Sequence, residues 1–395
     1  MNLGNGANTA TVGAISTITG GTGIDAITLG AALTTAMSVD LGSGKSTLTL
    51  ANVANTGIVN HMATLVGGTG NDTITLGAAA SNASINLGTG NDTLTLGNFA
   101  NTATVANVDT LAGGTGNNTI TLGSALTTGM SLDLGAGKNM LTLNSATNTG
   151  TVSDIATLLG GAGTDTITLA TVLSNGSVNL GVGSDTLTLA NGNNSASIGN
   201  VATLAGGTGN NTITLSTALT TGMSVNLGSG NGMLTLANVA NTGTLSNIDT
   251  LVGGSANNTI TLATQVLNGS VSLGAGKNTL TLGNFSDTLT ASSVGTLLGG
   301  SGADSVTLGA AAANASISLG SGADTLTFGN FANTATVAVL WRKHKMLSVE
   351  SPPAIGYPAT HGRSNRHQHP TAEARGSRGD NREPGERNPT APHGP

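Results

Sequence analysis

The chain contains no cysteine, so no disulfide staples it and no thiol serves as nucleophile or metal ligand. Residues 1–340 also lack Pro, Arg and Glu, and their four aromatic residues are all Phe. Aromatic residues make up 2% of the whole chain and charged residues 8%. A globular core built around large rings is not available at that composition. His61 is the single histidine before Trp341, which leaves paired-imidazole chemistry without a second ring. No apolar run approaches the roughly 20 residues of a membrane-spanning helix. The first residues, Met-Asn-Leu-Gly-Asn-Gly, show neither the basic nor the apolar region of a cleavable signal peptide.

What remains is aliphatic, small and regular. Gly accounts for 61 of 395 residues, and Leu, Ile, Val, Ala and Thr recur at fixed places. Disordered chains lack such aliphatic residues, whereas the narrow interior of a solenoid is built from them.

The charge is unevenly placed. Residues 1–340 carry thirteen Asp against three Lys (Lys45, Lys138, Lys277), a net charge of −10. The last 55 residues hold all eight Pro, nine of the twelve Lys and Arg and five of the six His, with a net charge of +4. Residues 341–395 therefore read as a disordered Pro/Arg-rich tail. The switch falls just after Ala335-Thr-Val-Ala-Val-Leu340, a run that continues unbroken in earlier repeats, and it reads as a frameshift product. Arg378-Gly379-Asp380 in the tail spells an integrin-binding tripeptide, and His367 and His369 read as tail composition. At the other end, Leu3–Val12 matches Leu96–Val105, so the repeats read as truncated at both ends.

Internal repetition sets the architecture. The run Gly67-Gly-Thr-Gly-Asn-Asp-Thr-Ile-Thr-Leu76 recurs from Gly20, Gly113, Gly160, Gly206, Gly253 and Gly299. A second run, Leu87-Gly-Thr-Gly-Asn-Asp-Thr-Leu-Thr-Leu96, recurs from Leu41, Leu134, Leu180, Leu227, Leu273 and Leu319. The fourteen turns are separated alternately by 20–21 and 26 residues, in units of 46–47. A longer period of 93 residues relates Leu33-Thr-Thr-Ala-Met to Leu126-Thr-Thr-Gly-Met and Leu219-Thr-Thr-Gly-Met. After each turn the residues alternate, so Ile74 and Leu76 share one face and Thr73 and Thr75 the other. This predicts an all-β, parallel β-solenoid of the β-roll kind over residues 1–340: about fourteen coils of 20–26 residues, two coils per unit, glycine turns along one edge, and an extra strand near Thr104–Leu111.

Gly67-Gly-Thr-Gly-Asn-Asp-Thr-Ile-Thr resembles the nonapeptide repeat of the haemolysin-type (RTX) calcium-binding family. The resemblance covers the fourteen turns. It implies Ca²⁺ held between stacked turns by the Asp carboxylate and backbone carbonyls, a donor set suited to a hard cation. The implied ligands are Asp25, Asp72, Asp92, Asp165, Asp185, Asp304 and Asp324. The backbone of Gly21, Gly23, Gly68, Gly70, Gly88, Gly90, Gly161, Gly163, Gly181, Gly183, Gly300, Gly302, Gly320 and Gly322 joins them. The other seven turns place Asn118, Asn139, Asn211, Asn258, Asn278, Ser46 or Gly232 at the Asp position, where plain turn chemistry is the reading. The three lysines stand beside the ligand position in turns that lack Asp, as stand-ins for the ion.

A second reading uses the outward threonines, among them Thr73, Thr75, Thr93, Thr95, Thr119 and Thr121. A two-column Thr-x-Thr array resembles the surface of some ice-binding β-solenoids, although Thr is also simply a good strand former.

Catalysis finds no support: the remaining Asp (Asp40, Asp109, Asp133, Asp154, Asp249, Asp287) are scattered among coils, and strands, not helices, follow the Gly-x-Gly runs. An acidic repeat region disfavours nucleic acid. The expectation is a calcium-binding structural segment of a secreted or cell-surface bacterial protein, of adhesin or surface-layer type. Its partners would be calcium, cell-surface glycans or other copies of the protein, without membrane insertion.

Overall fold

The computed structural model describes residues 1–338 and the backbone of Ser348–Glu350. All of these lie in one compact unit, Met1–Pro352. Thirty-six short strands run from Thr9 to Ala338, and no helix interrupts them. Each strand pairs in parallel with the strand two further along the chain, so successive strands alternate between two sheets and two strands make one coil. This is the predicted parallel β-solenoid.

Alternation creates the core. Ile74, Leu94, Leu111 and Leu132 stack in register from coil to coil and are all but completely buried. Each such side chain contributes roughly 1.5–3 kcal/mol by leaving water. The aliphatic columns of the two sheets meet in one continuous cluster from Leu3 to Leu326, with no aromatic residue fully inside it. A coil has room for two small aliphatic layers and little more, which accounts for the composition.

The coils are shorter than the turn spacing suggests. Register partners lie 17 residues apart, as in Thr93↔Thr110, or 20–21 apart, as in Thr73↔Thr93 and Thr17↔Ser38. The 26-residue interval between turns contains three strands, for example Thr93–Thr95, Thr102–Ala106 and Thr110–Ala112. It therefore spans one and a half coils, and the extra strand expected near Thr104–Leu111 closes the half. Each 46–47-residue unit makes two and a half coils, not two, and the coils outnumber the fourteen turns.

An odd number of strands per unit has a geometric consequence. Thr73–Leu76 and Thr93–Thr95 lie side by side in one sheet, whereas Thr119–Leu122 and Met140–Thr142 lie in the other. Thr166–Leu169 and Thr186–Thr188 return to the first. The glycine turns therefore line both edges of the roll, in pairs, and not one edge. The 93-residue period is the distance after which the chain regains the same sheet and edge.

Of the expected disordered tail, 341–395, the backbone of Ser348–Glu350 is described. It forms a strand parallel to Thr325–Thr327, so this part of the tail extends the sheet. The rest of that expectation, with Arg378-Gly379-Asp380, His367 and His369, lies outside the described residues. No helix among the described residues is long and apolar enough to cross a membrane.

Candidate metal centre

The glycine turns stack with almost no space between them. A Cβ on Gly88 would overlap the carbonyl oxygen of Gly68, and one on Gly90 that of Gly70. Gly181 and Gly183 meet Gly161 and Gly163 in the same way, and Gly320 and Gly322 meet Gly300 and Gly302. Carbonyl oxygens of one turn thus point along the stack at the next. Those of Gly21, Gly68, Gly161 and Gly300 accept N–H bonds from Ser43, Thr89, Val182 and Ser321 at 3.0–3.1 Å, which locks each pair of turns.

Inside these turns the Asx residues form ladders. On one edge Asn55, Asp72, Asp92 and Asp109 follow one another at successive coils. The N–H of Asn55 donates to Asp72 Oδ1 (3.0 Å), that of Asp72 to Asp92 Oδ1 (2.7 Å), and that of Asp92 to Asp109 Oδ2 (2.8 Å). Asn148, Asp165 and Asp185 repeat the arrangement on that edge. Asn8, Asp25 and Ser46 do so on the other, as do Asp287, Asp304 and Asp324. Asp25, Asp72, Asp92, Asp165, Asp185 and Asp304 are at most 1% exposed.

The fully buried members of this ladder divide by chemistry. Where the residue is Asn, its amide is satisfied: Nδ2 of Asn211 donates to the carbonyls of Gly209 (3.1 Å) and Leu227 (2.9 Å). Nδ2 of Asn258 likewise meets Ala256 (2.9 Å) and Leu273 (3.0 Å), and that of Asn118 meets Leu134 (3.0 Å). Where the residue is Asp, the side chain carries an oxygen in place of that nitrogen. Asp25, Asp72, Asp165, Asp185 and Asp304 each leave a buried Oδ2 without a hydrogen-bond partner. The equivalent carbonyls are those of Gly70 and Leu87 for Asp72, Gly163 and Leu180 for Asp165, and Gly302 and Leu319 for Asp304. A buried carboxylate oxygen without a donor is costly unless a cation or a proton joins it.

The electrostatics agree. Burial pushes the Asp304 carboxyl up to about 6, against the lowering effect of the Asp287 and Gly300 N–H groups and with the neighbouring Asp287 and Asp324 charges adding to the rise. Burial raises Asp92, with the Asp72 N–H opposing and the Asp72 and Asp109 charges reinforcing. Asp185 is raised in the same manner, beside Asp165. The donor set is all oxygen, carboxylate plus carbonyl, which fits calcium. The carboxylates are stacked one per coil, and among the described residues no three acidic or imidazole side chains converge on one point. Any ion here takes most of its ligands from backbone carbonyls.

Several expectations change. Asp109 and Asp287, read as scattered, belong to the ladders. So does Asp249, whose Oδ2 accepts the Gly232 N–H at 2.8 Å. Asp40, Asp133 and Asp154 sit at an outer corner instead. There Asp40 pairs with His61 at 2.7 Å, and Asp154 meets Asp133, its carboxyl raised by burial and by that neighbour. Lys45, Lys138 and Lys277 are exposed; in the turns of Lys138 and Lys277 it is the Asn139 and Asn278 amides that meet the carbonyls of Gly135 and Asp154 and of Gly274 and Ser293. A buried Asn begins five of the ladders (Asn55, Asn101, Asn148, Asn194 and Asn241), and sequence reasoning passed over it. The threonine array is divided between the sheets: Thr73 and Thr75 pair with Thr93 and Thr95 on one, while Thr119 and Thr121 lie on the other. Beyond Thr95 its outer column continues as Ala112 and Asp133.

The fold and the turns together define a calcium-type β-solenoid. In particular, the chain carries the RTX calcium-binding nonapeptide repeat in four copies, at residues 63–80, 105–125, 202–216 and 245–262. The first copy includes Asp72; the other three centre on turns with Asn118, Asn211 and Asn258. Comparison with curated proteins and with solved structures returns no match.

Proposed function

We propose that the chain is a calcium-stabilised structural segment of a secreted or cell-surface protein, and that it works by being long and regular, without catalysis. The observation that carries this reading is the set of buried, unpartnered Asp oxygens among stacked turn carbonyls. Asp25, Asp72, Asp92, Asp165, Asp185, Asp304 and Asp324 hold the ions, with carbonyls of the adjoining turns completing each shell. The Asn-bearing turns close on their own amide protons and need none. When bound, calcium neutralises the ladder charge and ties consecutive coils together. Because the ion favours the folded state, folding is coupled to the calcium concentration outside the cell. The surface of such a segment is an adhesin-like or surface-layer spacer, open to glycans or to further copies of the protein.

The location is tested by labelling intact source cells and culture medium with an antibody raised against the repeats. Signal on unbroken cells or in the medium supports the reading; signal only after lysis contradicts it.

A further inference from the structure

One carboxylate stands where every equivalent position carries an amide. The residue that opens each ladder is Asn8, Asn55, Asn101, Asn148, Asn194, Asn241, Asp287 or Asn333, at intervals of 46–47 residues. The seven Asn share one bonding pattern. Nδ2 of Asn101 donates to the carbonyls of Gly97 (2.9 Å) and Phe99 (2.8 Å) and to Oδ1 of Asn118 (2.8 Å). Nδ2 of Asn241 does the same with Ala237 (2.9 Å), Val239 (2.6 Å) and Asn258 Oδ1 (2.9 Å). Asn333 keeps the two turn carbonyls, those of Gly329 (3.2 Å) and Phe331 (2.8 Å). The amide hydrogens hold together three oxygens that would otherwise face one another.

Asp287 keeps half of this pattern. Its Oδ1 accepts the N–H of Val266 at 2.7 Å, as Asn55 Oδ1 accepts that of Leu33 at 2.9 Å. Its own N–H reaches Asp304 Oδ1 at 3.0 Å. Its Oδ2 takes the place of the donor nitrogen, and the equivalent carbonyls belong to Gly283 and Phe285. That Oδ2 is buried without a partner, in a residue 1% exposed, directly beneath Asp304, whose Oδ2 is orphaned too. At the place that Nδ2 holds in the Asn ladders, Oδ2 is matched with the Gly283 and Phe285 carbonyls and Oδ1 of Asp304, with no amide hydrogen between them.

The geometry points to a cation site at Asp287, outside the nonapeptide turns, in which a calcium-like divalent ion replaces the amide hydrogens of the other seven ladders and is shared with Asp304. The stack Asp287–Asp304–Asp324 thereby has one carboxylate more than its two nonapeptide turns supply. This inference rests on the calcium reading above and adds a site to it.

The test exchanges the two residue types in the full chain. Native mass spectrometry counts bound calcium, and thermal melting in chelator reads the cost of the empty site. Asp287→Asn restores the residue found at the other seven positions and should fold. It is expected to bind one ion fewer than the wild type and to melt higher in chelator. The reciprocal Asn241→Asp is expected to lower the melting temperature in chelator and to recover it in calcium. An unchanged ion count in Asp287→Asn overturns the site. So does a higher melting temperature in chelator with the count unchanged, since a proton then sits on Asp287. If the wild type itself binds no calcium, the calcium reading fails, which is a separate result.

Discussion

The backbone N–H of Asp72 donates to Oδ1 of Asp92 on the next coil, 2.7 Å away, while Oδ2 of Asp72 is buried with no partner. In Asp72 one carboxylate oxygen, Oδ1, accepts the Asn55 N–H and holds a coil in register, and the other is left without a donor. The Asn ladders use both side-chain atoms for the fold. From this asymmetry the behaviour of individual substitutions follows.

Asn101→Ala removes an amide that satisfies the carbonyls of Gly97 and Phe99 and Oδ1 of Asn118. Leaving buried acceptors unpaired costs about 1–3 kcal/mol. The loss should be equal in calcium and in chelator, because no ion replaces the amide. Paired thermal melts in the two buffers check this; a loss confined to the calcium buffer would place an ion at Asn101.

Gly88→Ala meets two obstacles at once. Gly88 has φ +92°, a conformation that L side chains rarely adopt, and a Cβ there would overlap the Gly68 carbonyl. Destabilisation should exceed the ~1 kcal/mol typical of a strained backbone alone, since the turns must also separate. Chemical denaturation of the variant reads it, together with weaker calcium binding at the Asp72–Asp92 pair. By contrast, Gly222→Ala meets no atom and should be nearly silent.

Glycine turns and alternating strands were legible because both are local signals: Gly-x-Gly-Asx and Thr-Ile-Thr-Leu announce a bend and a half-buried strand. The ladder Asn was harder to see. Asn101 lies in Asn98-Phe-Ala-Asn101, without the glycines that mark the other turns, and only stacking reveals that it is equivalent to Asp72 or Asn118. Asp287, in Phe285-Ser-Asp287, was hidden for the same reason. The two-edge arrangement follows from counting strands per unit, and spacing between like turns does not count the strands between unlike ones. The 93-residue similarity of Leu33-Thr-Thr to Leu126-Thr-Thr held that information, since a unit of whole coils needs no doubled period.

The pH dependence has a definite sign. Asp304 is raised to about 6 by burial, and burial also raises Asp92, Asp185 and Asp287. A carboxyl whose folded value lies above its unfolded value favours folding while protonated. That contribution is present below the unfolded value of 3.8 and is lost as pH rises through about 6. In chelator, melting temperature should therefore fall as pH rises from about 4 to just above 6. In saturating calcium the fall should shrink or reverse, because the ion displaces those protons. Calorimetric melts across this range, with and without calcium, decide it; parallel curves in the two conditions would separate the protons from the ion.

The most direct measurement of the central claim is the thermal melt of the full chain, followed by circular dichroism, in calcium and in chelator. Each occupied site adds about 2.7 kcal/mol of stability when the free ion is a hundredfold above its dissociation constant. The account predicts a stronger strand signal and a clearly higher melting temperature in calcium. It further predicts loss of that difference when Asp25, Asp72, Asp92, Asp165, Asp185, Asp287, Asp304 and Asp324 are all replaced by Asn. Identical spectra and identical melting of the wild type in calcium and in chelator would contradict it.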